Sequence, residues 1–165
     1  MKRRIAIVTD DPGWHGARLR EALATRGCDS SFLSLQACGL DLSNGSGLSL
    51  PGFDQLPDGV FVRGVPGGSL EQVVLYLDVL HLLKRLGITV YNDARAIELS
   101  VDKGMTSCLL QAAGIPTPAA WVMTDERAVR ELLDRELQAG NELVLKPLFG
   151  SQGVGLMRVA ALDEL

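Results

Sequence analysis

Residues 142 to 160 read ELVLKPLFGSQGVGLMRVA, two apolar runs on either side of FGSQG, and the fold turns on how that stretch is read. Two strand-like runs joined by about five residues that include two glycines predict an antiparallel hairpin. Side chains alternate along a strand, so Val144, Lys146 and Leu148 share one face while Leu143 and Leu145 share the other. Lys146 thus lies among apolar neighbours and either snorkels to solvent from the strand end or, as its place beside the loop favours, turns inward. A buried ammonium is costly unless it meets an anion, and nothing adjacent in the sequence supplies one.

The loop has two readings. Hairpin loops use glycine simply to reach positive φ angles. Alternatively, backbone N–H groups freed of side-chain bulk at Gly150, Gly153 and Gly155 fold over a phosphate chain, with the Ser151 hydroxyl as a further donor. The loop is not a P-loop, because it lacks the GK[ST] ending and joins two strands rather than a strand and a helix. Lys103 is a second anomaly, expected in the first turn of a helix opening near Ser100, where the macrodipole disfavours a cation by about 0.3 to 1 kcal/mol. Either it pairs locally with Asp102 or Glu98, or it meets the same polyphosphate as Lys146.

Upstream, RIAIVT (4 to 9), SSFLSL, DGVFVRG and ITVY read as strands, and the segments after the first and third read as helices. Ser69 and Gln72 form a capping box that opens a helix over 70–86, with Gly87 as its stop. The alternation predicts a Rossmann-like parallel sheet over residues 1–92, covered by helices. The Gly/Ser/Pro-rich stretch from Gly39 to Gly59 is long enough to be a functional or mobile loop. Helix 70–86 is apolar almost all round, so it is either sandwiched inside the protein or forms a homodimer interface.

A different rhythm starts near Asn92. Residues 92–114 read as helical and are ended by GIPTP, followed by a strand AAWVMT and a helix with Thr124 as N-cap and Val129, Leu132, Leu133 and Leu137 on one face. His15 reads as a turn residue and His81 as a helix histidine, neither as a base.

Composition narrows the function classes. The chain has 165 residues, 47% hydrophobic, and a net charge of -4, which argues against a nucleic-acid surface. The apolar run after MKRR is too short for a signal-peptide core, and VVLYLDVLHLLKRL is broken by Asp78, His81 and Lys84 before it reaches a membrane-spanning length. Cys28, Cys38 and Cys108 are odd in number and without a CxxC pair. They read as reduced, small buried hydrophobes, which suits a cytoplasmic protein.

NDARAIELSVDKGMTSCLLQAAGIPTP (92 to 118), followed by a strand, a helix, VLKPLFGSQGVG and a further strand, resembles the first half of the ATP-grasp superfamily. Within it, the match is to the glutamate ligases typified by the ribosomal protein S6 modification enzyme, from about Phe61 to Val159 and more loosely before that. The resemblance implies an α/β chain with a Rossmann-like pre-ATP-grasp domain over 1–92 and the first, α+β, ATP-grasp subdomain over 93–165. It implies that Lys103 and Lys146 bind ATP phosphates and that Ser151, Gln152, Gly153, Val154 and Gly155 form a mobile phosphate lid. Arg63, in VRGVPGGS, has family precedent for holding a substrate carboxylate. Such enzymes pass the γ-phosphate of ATP to a carboxylate and let an amine attack the acyl phosphate, with magnesium assisting.

The family's magnesium ligands and second cleft wall have no counterpart before RVAALDEL. The expectation is therefore an N-terminal portion that binds phosphates, holds no catalytic residue and is inactive alone. One alternative is a non-catalytic nucleotide-binding module complete at 165 residues. Another is a dinucleotide-binding module built on residues 1–92, which the lack of a GxGxxG after the first strand counts against.

Overall fold

The computed structural model describes residues 2–43, 45–150 and 153–161. Two compact units are present, Met1–Ile97 and Glu98–Leu165.

The first unit is built on a four-stranded sheet of β1 (Arg3–Val8), β2 (Cys28–Leu33), β5 (Gly59–Val62) and β6 (Thr89–Tyr91). The strand order is β2-β1-β5-β6, and every pairing is parallel. Ala6, Ile7 and Val8 are successive residues and all fully buried. Burial of both strand faces is the mark of a sheet covered on each side. Helix α1 (Gly13–Ala24) approaches β2 so closely at Gly16 that a Cβ there would stand 3.0 Å from the Phe32 ring.

Helix α2 (Leu70–Arg85) opens on the expected capping box, in which Ser69 and Gln72 satisfy each other's backbone N–H groups. Tyr76, Val79, Leu80 and Leu83 are buried in the core. The stretch read as a long loop, preceded by a 3-10 turn (Leu35–Ala37), instead holds β3 (Gly39–Asp41) paired antiparallel with β4 (Gly47–Ser49). Leu48 and Leu50 recur with the strand period of two, and both are buried. The small hairpin and the 3-10 turn pack on α2, and a Cβ at Gly47 would lie 3.5 Å from Leu82 Cδ2. Helix α2 is therefore sandwiched between β6 and this hairpin, which explains most of its apolar girth. Leu70 and Val74 remain exposed.

The stretch over 92–114 read as helical forms two helices. Helix α3 (Ala94–Val101), in which the boundary between the units falls, ends one residue before α4 (Lys103–Ala112) begins. Asp102 between them is extended, and its carboxylate accepts a hydrogen bond from Met105 N at 2.9 Å. A short acidic side chain competes for backbone N–H groups and so breaks a helix and caps the next one. The α4 opening is thus at Lys103, not Ser100. Helix α5 (Glu126–Gln138) is likewise capped by Asp125 rather than Thr124, through Ala128 N at 2.7 Å.

The hairpin of β7 (Leu143–Leu145) and β8 (Met157–Val159) forms as expected, with Leu143 opposite Val159 and Leu145 opposite Met157. Helix α5 packs on β7, and Leu133 and Val159 are buried. AAWVMT is not a strand: among the described residues it finds no ladder partner, and Trp121, Val122 and Met123 are exposed. Its residue types favour a pleated surface, but a strand exists only where a neighbouring edge accepts its hydrogen bonds. The three thiols also divide, Cys38 being buried, Cys28 half-buried and Cys108 exposed on α4.

Candidate functional site

The site begins at the N-terminus of α4. Asp102 takes the capping position, which leaves Lys103 as the first helical residue, half-buried and directed at the β7–β8 loop. Lys103 Nζ donates to Gly150 O at 2.9 Å and lies 3.4 Å from Leu148 O. Its backbone N–H also donates to Leu148 O, at 3.3 Å. One lysine thus holds the loop's first segment through both its main chain and its ammonium.

Gly104 makes that approach possible. A Cβ there would stand 2.8 Å from Val122 Cγ2 and 3.4 Å from Leu148 Cδ1, so the loop and the 119–124 segment close on the helix terminus only because no side chain intervenes. Helix propensity alone reads this glycine as a weakness, and only its place beside Lys103 in a first turn hints at a close approach. Behind it, Thr106 Oγ1 donates to Leu99 O at 2.7 Å and Ser107 Oγ to Lys103 O at 2.8 Å, which fixes the terminus further.

The loop glycines carry backbone that L-residues rarely adopt, with φ of 131° at Gly150, 74° at Gly153 and 76° at Gly155. Val154 between them is exposed. Ser151 and Gln152 lie outside the described residues.

Lys146 sits one residue past β7, two before Leu148, at the root of the same loop. It is not turned inward: it is exposed, as are Val144 and Leu148 on its face, at 51% and 38%. The reason is the sheet, which has two strands and is covered on the side of Leu143 and Leu145. Among the described residues Lys146 has no hydrogen-bond or ion-pair partner. The two lysines are therefore both attached to one loop root, Lys103 by direct hydrogen bonds and Lys146 by chain position.

Arg63 belongs to the first unit. It follows β5, its backbone N donates to Val8 O at 2.9 Å, and its side chain is exposed. That places it at the carboxyl edge of the parallel sheet, where ligands of open α/β sheets bind. The edge also carries buried Thr9, whose hydroxyl donates to Asp11 O at 3.0 Å, and Ser34, hydrogen-bonded to Asp10.

No family model matches the chain. It is 29% identical over 165 residues to the tetrahydromethanopterin:alpha-L-glutamate ligase of Methanosarcina acetivorans, covering 96% of this chain and 50% of that one. A RimK domain ATP-grasp protein from Sphaerobacter thermophilus superposes with a TM-score of 0.73 at 23% identity, over 97% of this chain and 55% of that chain. The ATP-grasp ligase PsnB, solved with a phosphomimetic variant of its minimal precursor, Mg and ADP, gives 0.68 at 22% identity, over 96% and 58%. The chain spans about half the length of the curated relatives it matches. The resemblance read from the sequence is borne out, and the fold, a parallel α/β layer followed by an α+β unit, is that of a portion of the ATP-grasp ligases.

Proposed function

We propose that this chain, similar as it is to ATP-grasp glutamate ligases, is the phosphate-gripping portion of an ATP-dependent carboxylate–amine ligase that adds an amino acid, glutamate by its relatives' names. The observation that carries the proposal is the placement of Lys103 Nζ 2.9 Å from Gly150 O, which puts an ammonium on the glycine loop whose root bears Lys146. Two ammonium groups and a loop with glycine-only backbone angles fit a polyphosphate, whose oxygens accept from both.

ATP supplies the phosphoryl group that turns a carboxylate into an acyl phosphate open to attack by an amine. Charge builds on the phosphates during transfer, so positioned cations are what a protein contributes most. Lys103 and Lys146 neutralise that charge, while Gly153 and Gly155 let backbone N–H groups approach it. Arg63 holds a substrate carboxylate with its fork of donors. The described residues contain no group of three or more His, Cys, Asp or Glu placed to hold a metal ion. The 165 residues are proposed not to turn ATP over by themselves. Homodimerisation through α2 rests on Leu70 and Val74, the exposed remainder of its apolar surface.

Calorimetric titration of the chain with ATP tests the reading. Binding is expected, and Lys103→Ala or Lys146→Ala is expected to weaken it about tenfold or more, the usual scale of one lost charge-assisted bond. Binding of equal strength in the double variant would overturn the assignment. Binding without turnover by any longer form of the protein would favour a non-catalytic nucleotide module.

A further inference from the structure

The hydrogen bonds of Lys103 set a problem for any anion. A lysine ammonium has three donors and no acceptor. Here they face carbonyl oxygens, that of Gly150 at 2.9 Å and that of Leu148 at the outer limit of 3.4 Å. A phosphate cradle works the other way, with N–H groups toward the ligand. The loop root therefore presents acceptors to the same cation a phosphate would need, and carbonyl and anion compete for it. A neutral carbonyl is the weaker competitor, since a phosphate oxygen adds ion-pair attraction to the charge-assisted bond that the ammonium already makes with the carbonyl.

Geometry shows how the carbonyl reaches the ammonium. Gly150 has a φ of 131°, outside the range of ordinary L-residues, and among the described residues no atom beyond its chain neighbours lies within 4 Å of where a Cβ would be. A glycine main chain takes, and leaves, more readily than any other residue a conformation that aims the Gly150 carbonyl at Lys103. The second bond, from Lys103 N to Leu148 O at 3.3 Å, uses the helix backbone and does not depend on the ammonium. The loop root would stay docked on α4 through Leu148 when the ammonium lets go of Gly150.

We propose that Lys103 is a two-position latch: without ligand its ammonium holds Gly150 O, and an arriving polyphosphate takes that ammonium over and releases Gly150. This rests on the phosphate-binding reading above and extends it, making Lys103 a positioning residue for the loop as well as an anion ligand. The consequence is coupling: the Gly150 carbonyl is freed when, and only when, the site fills.

The test is by NMR on the whole chain, with inorganic tripolyphosphate and ATP as probes and calorimetry alongside. In the unliganded protein, Lys103→Met keeps the stem and the backbone bond but removes the ammonium. It should shift the Gly150 carbonyl carbon and lower the amide 15N heteronuclear NOE at Phe149 and Gly150, while Lys103→Arg should restore both. Tripolyphosphate added to the wild type should drive the Gly150 signals toward the Lys103→Met position, and added to Lys103→Met at the same concentration it should move them far less. Unchanged Gly150 signals in Lys103→Met would overturn the latch. Calorimetric binding to the wild type with Gly150 left at its unliganded position would overturn the handover and leave the phosphate reading standing. No binding of either probe would defeat both. If Lys103→Met fails to fold, the wild-type titration and Lys103→Arg decide.

Discussion

Gly155 stands against Pro147: a Cβ on Gly155 would lie 2.7 Å from Pro147 Cγ, at a backbone φ of 76°. The two residues face each other across the hairpin where the loop leaves β7 and returns toward β8, so their contact sets the loop's width. A proline ring is stiff and cannot swing aside as a long side chain would.

Gly155→Ala should therefore cost more than the roughly 1 to 2 kcal/mol of left-handed strain alone. Gly114→Ala is the control, since φ there is 69° but nothing lies within 4 Å. Denaturant midpoints of the two variants decide the matter. Equal losses would mean that the Pro147 contact yields freely.

The cap of α5 offers a sharper contrast between neighbours. Asp125→Ala should lose about 1 kcal/mol, the ordinary value of an N-cap side chain, because its carboxylate accepts from Ala128 N at 2.7 Å. Thr124→Ala should stay within about 0.5 kcal/mol, as a surface change away from any such feature. Urea unfolding of both variants reads the difference, and the reverse order would restore Thr124 as the cap.

Burial, with Asp10 as a second cause, pushes the Cys38 thiol up to about 11 from 9.0. Cys108 is exposed. A disulfide reagent at pH 8 should modify Cys108 in the native protein and reach Cys38 only on unfolding. The sign of the linkage also follows: the unfolded thiol ionises first, so stability attributable to Cys38 falls as pH rises from about 9 toward 11. Cys38→Ala should flatten that part of the curve.

At low pH the relevant group is Asp93. Its carboxyl is held below the ordinary range first by a hydrogen bond from the Lys84 ammonium, then by the backbone N–H groups of Arg95 and Ala96. A lowered carboxylate contributes stability above its unfolded pKa and loses it as pH falls through the folded one. Lys84→Met should raise the Asp93 pKa, as followed by carbon-detected NMR titration. An unmoved titration would show that the ion pair contributes nothing.

Arg63→Ala, in the longest form of the protein that turns over, should raise KM for the carboxylate substrate about tenfold or more, the scale of a lost charged hydrogen bond. ATP affinity and stability should not change, because the Arg63 side chain is exposed and its backbone bond to Val8 is kept. A loss of ATP affinity instead would remove Arg63 from the substrate role.

Local chemistry was readable in the sequence wherever one residue dictates its own geometry. The capping box at Ser69 and Gln72, the glycine stops at Gly87, Gly114 and Gly140, the apolar runs of the parallel strands and the β7–β8 hairpin all depend on neighbours within a few positions. Motif resemblance also brought Lys103 and Lys146 to one loop. What depended on distant partners was not readable. AAWVMT has strand residues but no edge to join, and the Gly39–Gly59 stretch hid a hairpin because α2 supplies its burial. Alternation put Lys146 on an apolar face, and the inward turn expected from that failed, since only the number of strands and the placement of α5 decide which face is covered. The carbonyls that meet Lys103 lie 45 and 47 residues away in the chain. Residue type sets what a group can bond to, and the packed chain decides which group it meets.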